Sequence, residues 1–285
     1  MRRLLLVMVA ALFCVSCGRH SQPAGVQVVS TADGVTATDV RFSCPAIGGV
    51  MWYRAIVPQT KPGERLPVLY LLHGANSDPA EVAQHVGLVQ AAASQRIILL
   101  VPNGELSYYS NAVHRSHANW EDAIARDLPA DAAARFPILA GREHTGIAGI
   151  SMGGYGAAKI ALKHPEQYAY AGVVAGALDF TRRPFSVRRF GQAWRQWTIF
   201  GLRRSSRVSE DVFALLQKSA VAQSIHWKVA SGKKDPLLGV NQRFAHELKQ
   251  RGAQVEMLQA PGAHDWQSWS ALLPKVIESA GKSLR

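Results

Sequence analysis

Thr145-Gly146-Ile147-Ala148-Gly149-Ile150-Ser151-Met152-Gly153-Gly154-Tyr155-Gly156 is the stretch whose reading decides the fold. Residues 145–150 carry small and apolar side chains with no charge, the pattern of a short buried strand. The chain then enters 153–164, a small-residue helix stopped by Pro165. A serine on so sharp a strand-to-helix turn takes a strained backbone, and its neighbours can carry almost no side chain. Gly149 and Gly153 meet that need, and Gly154 extends the clearance. The turn lifts the Ser151 hydroxyl above a sheet edge at a helix N-terminus, where unpaired N–H groups hold developing negative charge. Ser151 is therefore the candidate nucleophile.

Outward from this turn the pattern alternates. Residues 66–72 are a largely apolar strand ending at His73-Gly74, 79–94 have helical spacing, and 96–101 are an apolar strand closed by Pro102-Asn103-Gly104. Residues 120–136 are helical, with Pro129 placing the start of the regular part near Asp127. Strands follow at 168–175, 225–230 and 255–258, and helices at 240–251 and 266–280. Apolar strands alternating with helices predict a mostly parallel sheet covered on both faces, an α/β architecture. Upstream, 35–44 and 50–57 are rich in β-branched and aromatic residues and bounded by Pro and Gly, which predicts antiparallel strands at one sheet edge.

A serine hydroxyl attacks only when a base takes its proton. Four histidines follow Ser151. His164 ends a helix before Pro165, His226 lies in a strand and His246 in a helix. His264 sits in Pro261-Gly262-Ala263-His264-Asp265-Trp266, a loop after the last strand, from which a base can reach over the sheet edge. The acid belongs on a loop after a late strand, and Asp235, after Ser231-Gly232-Lys233-Lys234, takes that place. Asp179 is the alternative acid, while Glu210 and Asp211 read as capping charge at a helix start. For the oxyanion the expected donors are the Met152 N–H and the Ala75 N–H, the latter from the loop opened by His73-Gly74.

The chain has 285 residues, 48% of them hydrophobic, enough for one large core. Arg2, Arg3 and the apolar run 4–13 give residues 1–16 the layout of a signal peptide, too short to span a bilayer. Val15-Ser16-Cys17 resembles a bacterial lipobox, so Cys17 is the expected lipidation site and residues 17–34 the expected linker. The catalytic domain is then 35–285. The net charge of +12 favours anionic surfaces such as an envelope. The expected location is the periplasm or cell envelope, tethered through Cys17. His114 and His117 read as surface-loop residues; no metal, cofactor or nucleotide fingerprint is expected.

These motifs together resemble the esterase family of α/β-hydrolases that takes in S-formylglutathione hydrolases, tributyrin esterases, acetyl xylan and feruloyl esterases and the antigen 85 type. The resemblance covers roughly residues 50–273. It rests on Leu71-Leu72-His73-Gly74, Asn119-Trp120-Glu121-Asp122, the Ser151 motif through Gly156, and Gly262-Ala263-His264-Asp265-Trp266. It implies the α/β-hydrolase fold, a serine carboxylic-ester hydrolase, and Ser151, Asp235 and His264 in the triad positions. It also implies a pocket near His73, Gly74 and Trp120. The substrate would be a small-molecule or polymer-linked ester. An acyltransferase to a sugar or lipid hydroxyl and a non-catalytic binding protein are the alternatives. The family's longer Gly-containing loop after His-Gly is replaced here by Asn76-Ser77-Asp78-Pro79.

Residues 179–210 stand apart. Arg182, Arg183, Arg188, Arg189, Arg195, Arg203, Arg204 and Arg207 are interleaved with Phe185, Phe190, Trp194, Trp197 and Phe200, with no acid between Asp179 and Glu210. After a sheet strand this reads as a cap that either selects an anionic or amphipathic substrate or packs its aromatics on the core. Export sets nucleic acid aside as a partner.

Overall fold

The computed structural model describes residues 25–85, 87–183 and 190–285. Among them nine strands form one sheet: β1 (Gly25–Ala32), β2 (Val35–Cys44), β3 (Gly49–Pro58), β4 (Val68–Leu72), β5 (Ile98–Pro102), β6 (Thr145–Ile150), β7 (Tyr170–Val174), β8 (His226–Gly232) and β9 (Val255–Ala260). Their order is β1-β2-β3-β5-β4-β6-β7-β8-β9. From β5 to β9 neighbours run parallel, and β1, β2 and β3 form an antiparallel edge joined to β5. This is the mostly parallel sheet with an antiparallel edge that the alternating pattern predicted, and the α/β-hydrolase fold that the family resemblance implied.

Period-two alternation sorts the strands into two cores. Tyr70 and Leu72 of β4 pack on one face with Tyr155, Ile160, Phe213 and Phe244. That face is covered by α4 (Leu128–Arg135), α5 (Met152–Lys163), α8 (Val212–Lys218) and α9 (Leu238–Gln250). Leu69 and Leu71 point the other way, with Val82, Leu88, Val276 and Ile277. Those residues come from α1 (Pro79–His85), α2 (Leu88–Gln95) and α10 (Trp266–Ser283).

Three expectations are corrected. Residues 25–32, read as linker, form β1, which pairs with β2 across a register shift between Val28 and Ser30. All eight β1 residues are exposed, so no burial pattern marks the strand in the sequence. The helix expected over 79–94 is two helices, and Gly87 N-caps the second. The helix over 120–136 is a turn, α3 (Trp120–Asp122), a π segment over Ala123–Asp127, and then α4. Between β7 and β8 the chain adds α6 (Phe190–Phe200) and α7 (Arg204–Val208) before α8.

Candidate active site

β6 delivers Ser151 to α5 with no intervening residue. Ser151 has φ 55° and ψ −111°, left-handed backbone that a side-chain-bearing residue adopts only under constraint. The constraint is visible: the Ser151 N–H donates to the Val174 carbonyl at 2.8 Å, and the Ser151 carbonyl accepts from Tyr155 and Ala177 at 3.0 Å each. The flanking glycines are sterically required. A Cβ on Gly149 would lie 2.3 Å from the Gly153 backbone, and one on Gly153 would lie 2.1 Å from the Leu72 carbonyl.

His264 reaches Ser151 from the loop after β9. Its Nε2 is 2.9 Å from Ser151 Oγ, and its Nδ1 is 2.9 Å from Asp235 Oδ2. The Asp235 side chain is fully buried, whereas His264 keeps 29% of its side chain exposed. The second Asp235 oxygen accepts from the Leu237 N–H at 2.7 Å. Gly232 lets the acid loop and the histidine loop meet, because a Cβ there would lie 2.6 Å from the Gly262 carbonyl. The Lys234 N–H donates to that same carbonyl at 2.9 Å. Trp269 packs its ring edge-on to His264 with centroids 5.0 Å apart. Asp265 turns away and caps α10 through the Ser268 N–H at 3.1 Å. Asp179 pairs with Arg183 at 2.8 Å.

Gly74 lies against the nucleophile; a Cβ on it would sit 3.7 Å from Ser151 Cβ. His73 is fully buried and braces this loop. Its Nδ1–H donates to the Gly74 carbonyl at 2.7 Å, and its Nε2 accepts from the Gly104 N–H at 2.9 Å. Burial holds its imidazole below the usual histidine range, against the opposing pull of the Gly74 carbonyl. The Gly74–Ala75 peptide is trans, so its N–H points opposite to the carbonyl that His73 holds. Among the described residues the Ala75 N–H has no hydrogen-bond acceptor. The Met152 N–H heads α5, where no intrahelical acceptor exists. His73 thus braces the loop, and Gly74 keeps the space beside Ser151 free of a side chain.

A buried ionic cluster holds α5 in place, and sequence spacing gave no sign of it. Lys159 is fully buried; its Nζ donates to the Tyr109 carbonyl (2.8 Å), Ser110 Oγ (2.6 Å) and Glu210 Oε2 (2.7 Å) and lies 3.0 Å from Glu121 Oε2. Lys163 bridges the same two carboxylates at 2.7 and 3.0 Å. Burial alone would raise the Glu121 carboxyl, but Lys159, the His164 hydrogen bond and Lys163 outweigh it and hold the group well below the usual carboxylate range. Glu210, expected as a cap, is instead a member of this cluster. Asp211 is the cap, through the Ala214 N–H at 2.9 Å.

The arginines of the cap segment divide. Arg182 forms a two-point pair with Asp211 at 2.5 and 2.9 Å, and its guanidinium lies 4.8 Å from the Phe213 ring. Arg207 donates to the Thr181 and Arg183 carbonyls. Arg182, Arg183 and Arg207 therefore spend their guanidinium groups on contacts within the protein. Phe185, Arg188 and Arg189 lie outside the described residues. Arg195 lines a cavity of about 360 Å³ with Arg115, Trp120 and Trp194. Trp120 lines this cavity, and Ser151, Asp235 and His264 do not. Among the described residues no cluster of three or more His, Cys, Asp or Glu could hold a metal.

Residues 45–278 match the model of the Esterase family, described as "Putative esterase". The chain belongs to that family. An acetyl esterase from Caldicellulosiruptor saccharolyticus is 26% identical over 244 residues, 80% of this chain and 91% of that protein. A fluorophosphonate-binding serine hydrolase from Staphylococcus aureus superposes with a TM-score of 0.75 at 23% identity, over 91% of this chain and 99% of that one. An S-formylglutathione hydrolase from Agrobacterium tumefaciens gives 0.76 at 18% identity, over 91% and 100%. The two structures share its fold, and the family makes the chain a carboxylic-ester hydrolase.

Proposed function

We propose that Ser151, His264 and Asp235 are the catalytic triad of this esterase and that it works through an acyl-enzyme. The observation that carries the proposal is the unbroken relay at 2.9 Å from Ser151 Oγ to His264 and at 2.9 Å from His264 to Asp235. Ser151 Oγ attacks the ester carbonyl while His264 Nε2 takes its proton; Asp235 fixes the tautomer with Nδ1 protonated and steadies the imidazolium. The carbonyl oxygen becomes an oxyanion held by the Met152 and Ala75 N–H groups. Collapse expels the alcohol, which receives the proton from His264. Water then repeats the sequence and releases the acid. The relative named an acetyl esterase makes a short acyl group the first to test. Ser151→Ala should abolish hydrolysis of para-nitrophenyl acetate with an unchanged thermal unfolding curve. Residual turnover near that of the parent would refute the assignment.

We propose in addition that the mature protein is exported and tethered through a lipid on Cys17, next to an anionic envelope surface. Residues 1–24 lie outside the described residues, and the support is the arrangement of Arg2, Arg3, the apolar run and Cys17. Mass spectrometry of the envelope-bound form should find an acylated N-terminal Cys17. A mature N-terminus elsewhere, on protein free in the periplasm, would contradict it.

A further inference from the structure

The cavity between the 105–120 loop and α6 is built as a site in its own right. Its walls are tied together: the Val113 and His114 N–H groups donate to the Ile199 and Thr198 carbonyls at 2.9 and 3.0 Å, and His114 stacks on Trp197 at 4.8 Å. Lys159 anchors the loop from beneath through Tyr109 and Ser110. Such bracing fixes the shape before any ligand arrives, which lowers the ordering cost of binding. The volume of about 360 Å³ falls within the range of small-molecule sites.

The chemistry of the lining is lopsided. Trp120, Ala118 and Ile199 give an apolar floor. The hydroxyls are already spent inside the protein: Ser107 donates to the Gly104 carbonyl, Ser110 to the Tyr108 carbonyl, and Thr198 to the Arg195 carbonyl. What remains is the guanidinium pair Arg115 and Arg195 and one exposed acid, Glu105. Among the described residues neither guanidinium forms an ion pair, whereas Arg182 and Arg183 of the same cap segment both do. Two guanidinium groups without an ion pair, lining one cavity together with apolar residues, suit a planar anion with an apolar body.

We propose that this cavity binds an organic carboxylate with an aromatic or aliphatic tail, the carboxylate on Arg115 and Arg195 and the tail on Trp120 and Ile199. The inference goes beyond the assignment of Ser151, because binding here requires no turnover. Accordingly the test uses Ser151→Ala protein, with tryptophan fluorescence as the readout. The probes are phenylbutyrate and its neutral isostere phenylbutyramide. The carboxylate should bind about tenfold more tightly than the amide, equivalent to about 1.4 kcal/mol. The preference should vanish in Arg115→Ala/Arg195→Ala and persist in Arg203→Ala/Arg204→Ala, which removes the same charge from exposed positions outside the cavity. Equal binding of acid and amide, no binding of either, or equal loss in both double variants would overturn the site. With wild type, competition between phenylbutyrate and para-nitrophenyl acetate identifies the anion as part of the ester substrate. Binding without competition identifies a separate ligand, and either result retains the site.

Discussion

At Asp235 the site depends on one carboxylate oxygen. Oδ2 meets His264 Nδ1 at 2.9 Å while Oδ1 is held by the Leu237 N–H, so the group cannot rotate away. Asp235→Asn preserves the shape but presents an amide N–H to one of these partners, leaving His264 in the wrong tautomer. A fall in kcat of about ten-thousandfold, with the fold retained, is expected. Stopped-assay kinetics beside a circular dichroism melt would check it; near-normal turnover would move the acid elsewhere. His73 acts through others. Because burial depresses its imidazole, the unfolded chain binds the proton first as pH falls. The stability that neutral His73 contributes is therefore complete above the unfolded value of about 6.5 and is lost as pH falls below it. His73→Asn can still donate to the Gly74 carbonyl but strands the buried Gly104 N–H, costing about 1–3 kcal/mol. Urea midpoints between ~pH 7.5 and ~pH 5.5 should fall less steeply for the variant than for the parent. Identical slopes would show that His73 does not carry the dependence.

At the scale of the element, α5 has two jobs, one at each end. Its first turn serves Ser151, and its C-terminal half carries Lys159 and Lys163 into the cluster with Glu121 and Glu210. The cluster fastens α5 to α3 on one side and to the cap exit on the other. Removing one partner leaves an uncompensated buried charge, so Glu121→Gln should cost about 3–5 kcal/mol. Chemical denaturation reads the loss directly, and a cost under about 1 kcal/mol would mean that Glu210 alone satisfies the lysines. Glu121 sits below its ordinary range, so the stability it contributes is complete above the unfolded value of about 4.3 and is lost only as pH falls through the depressed folded value. None of this was readable from spacing. Glu121, Lys159 and Glu210 are far apart in the chain, and each alone resembles an ordinary helix-surface charge. The nucleophile turn was readable because all its requirements fall within five consecutive residues, Gly149 to Gly153.

Across the whole molecule, the sheet brings three loop ends to one place: those after β6, β8 and β9 supply Ser151, Asp235 and His264. The order serine, acid, histidine could be read along the chain because each follows a strand of the parallel sheet. Gly232 could not. Its need for a bare backbone arises only when the acid loop meets Gly262 across the sheet edge. Strand β1 is illegible for the opposite reason, since with both faces exposed it needs no apolar alternation. A second long-range tie joins the two ends of the site: Trp266, next to the histidine loop, stacks on His85 at 4.4 Å and donates to Glu81 at 3.0 Å, both on α1. Through that tie the histidine loop is held against the helix that follows the Gly74–Ala75 turn. The most direct measurement of the central claim is mass-spectrometric mapping of a fluorophosphonate adduct on the intact protein. A single adduct on the peptide bearing Ser151, strongly slowed by His264→Ala and absent from Ser151→Ala, is the predicted result. An adduct on another residue, or labelling that persists in Ser151→Ala, would contradict it.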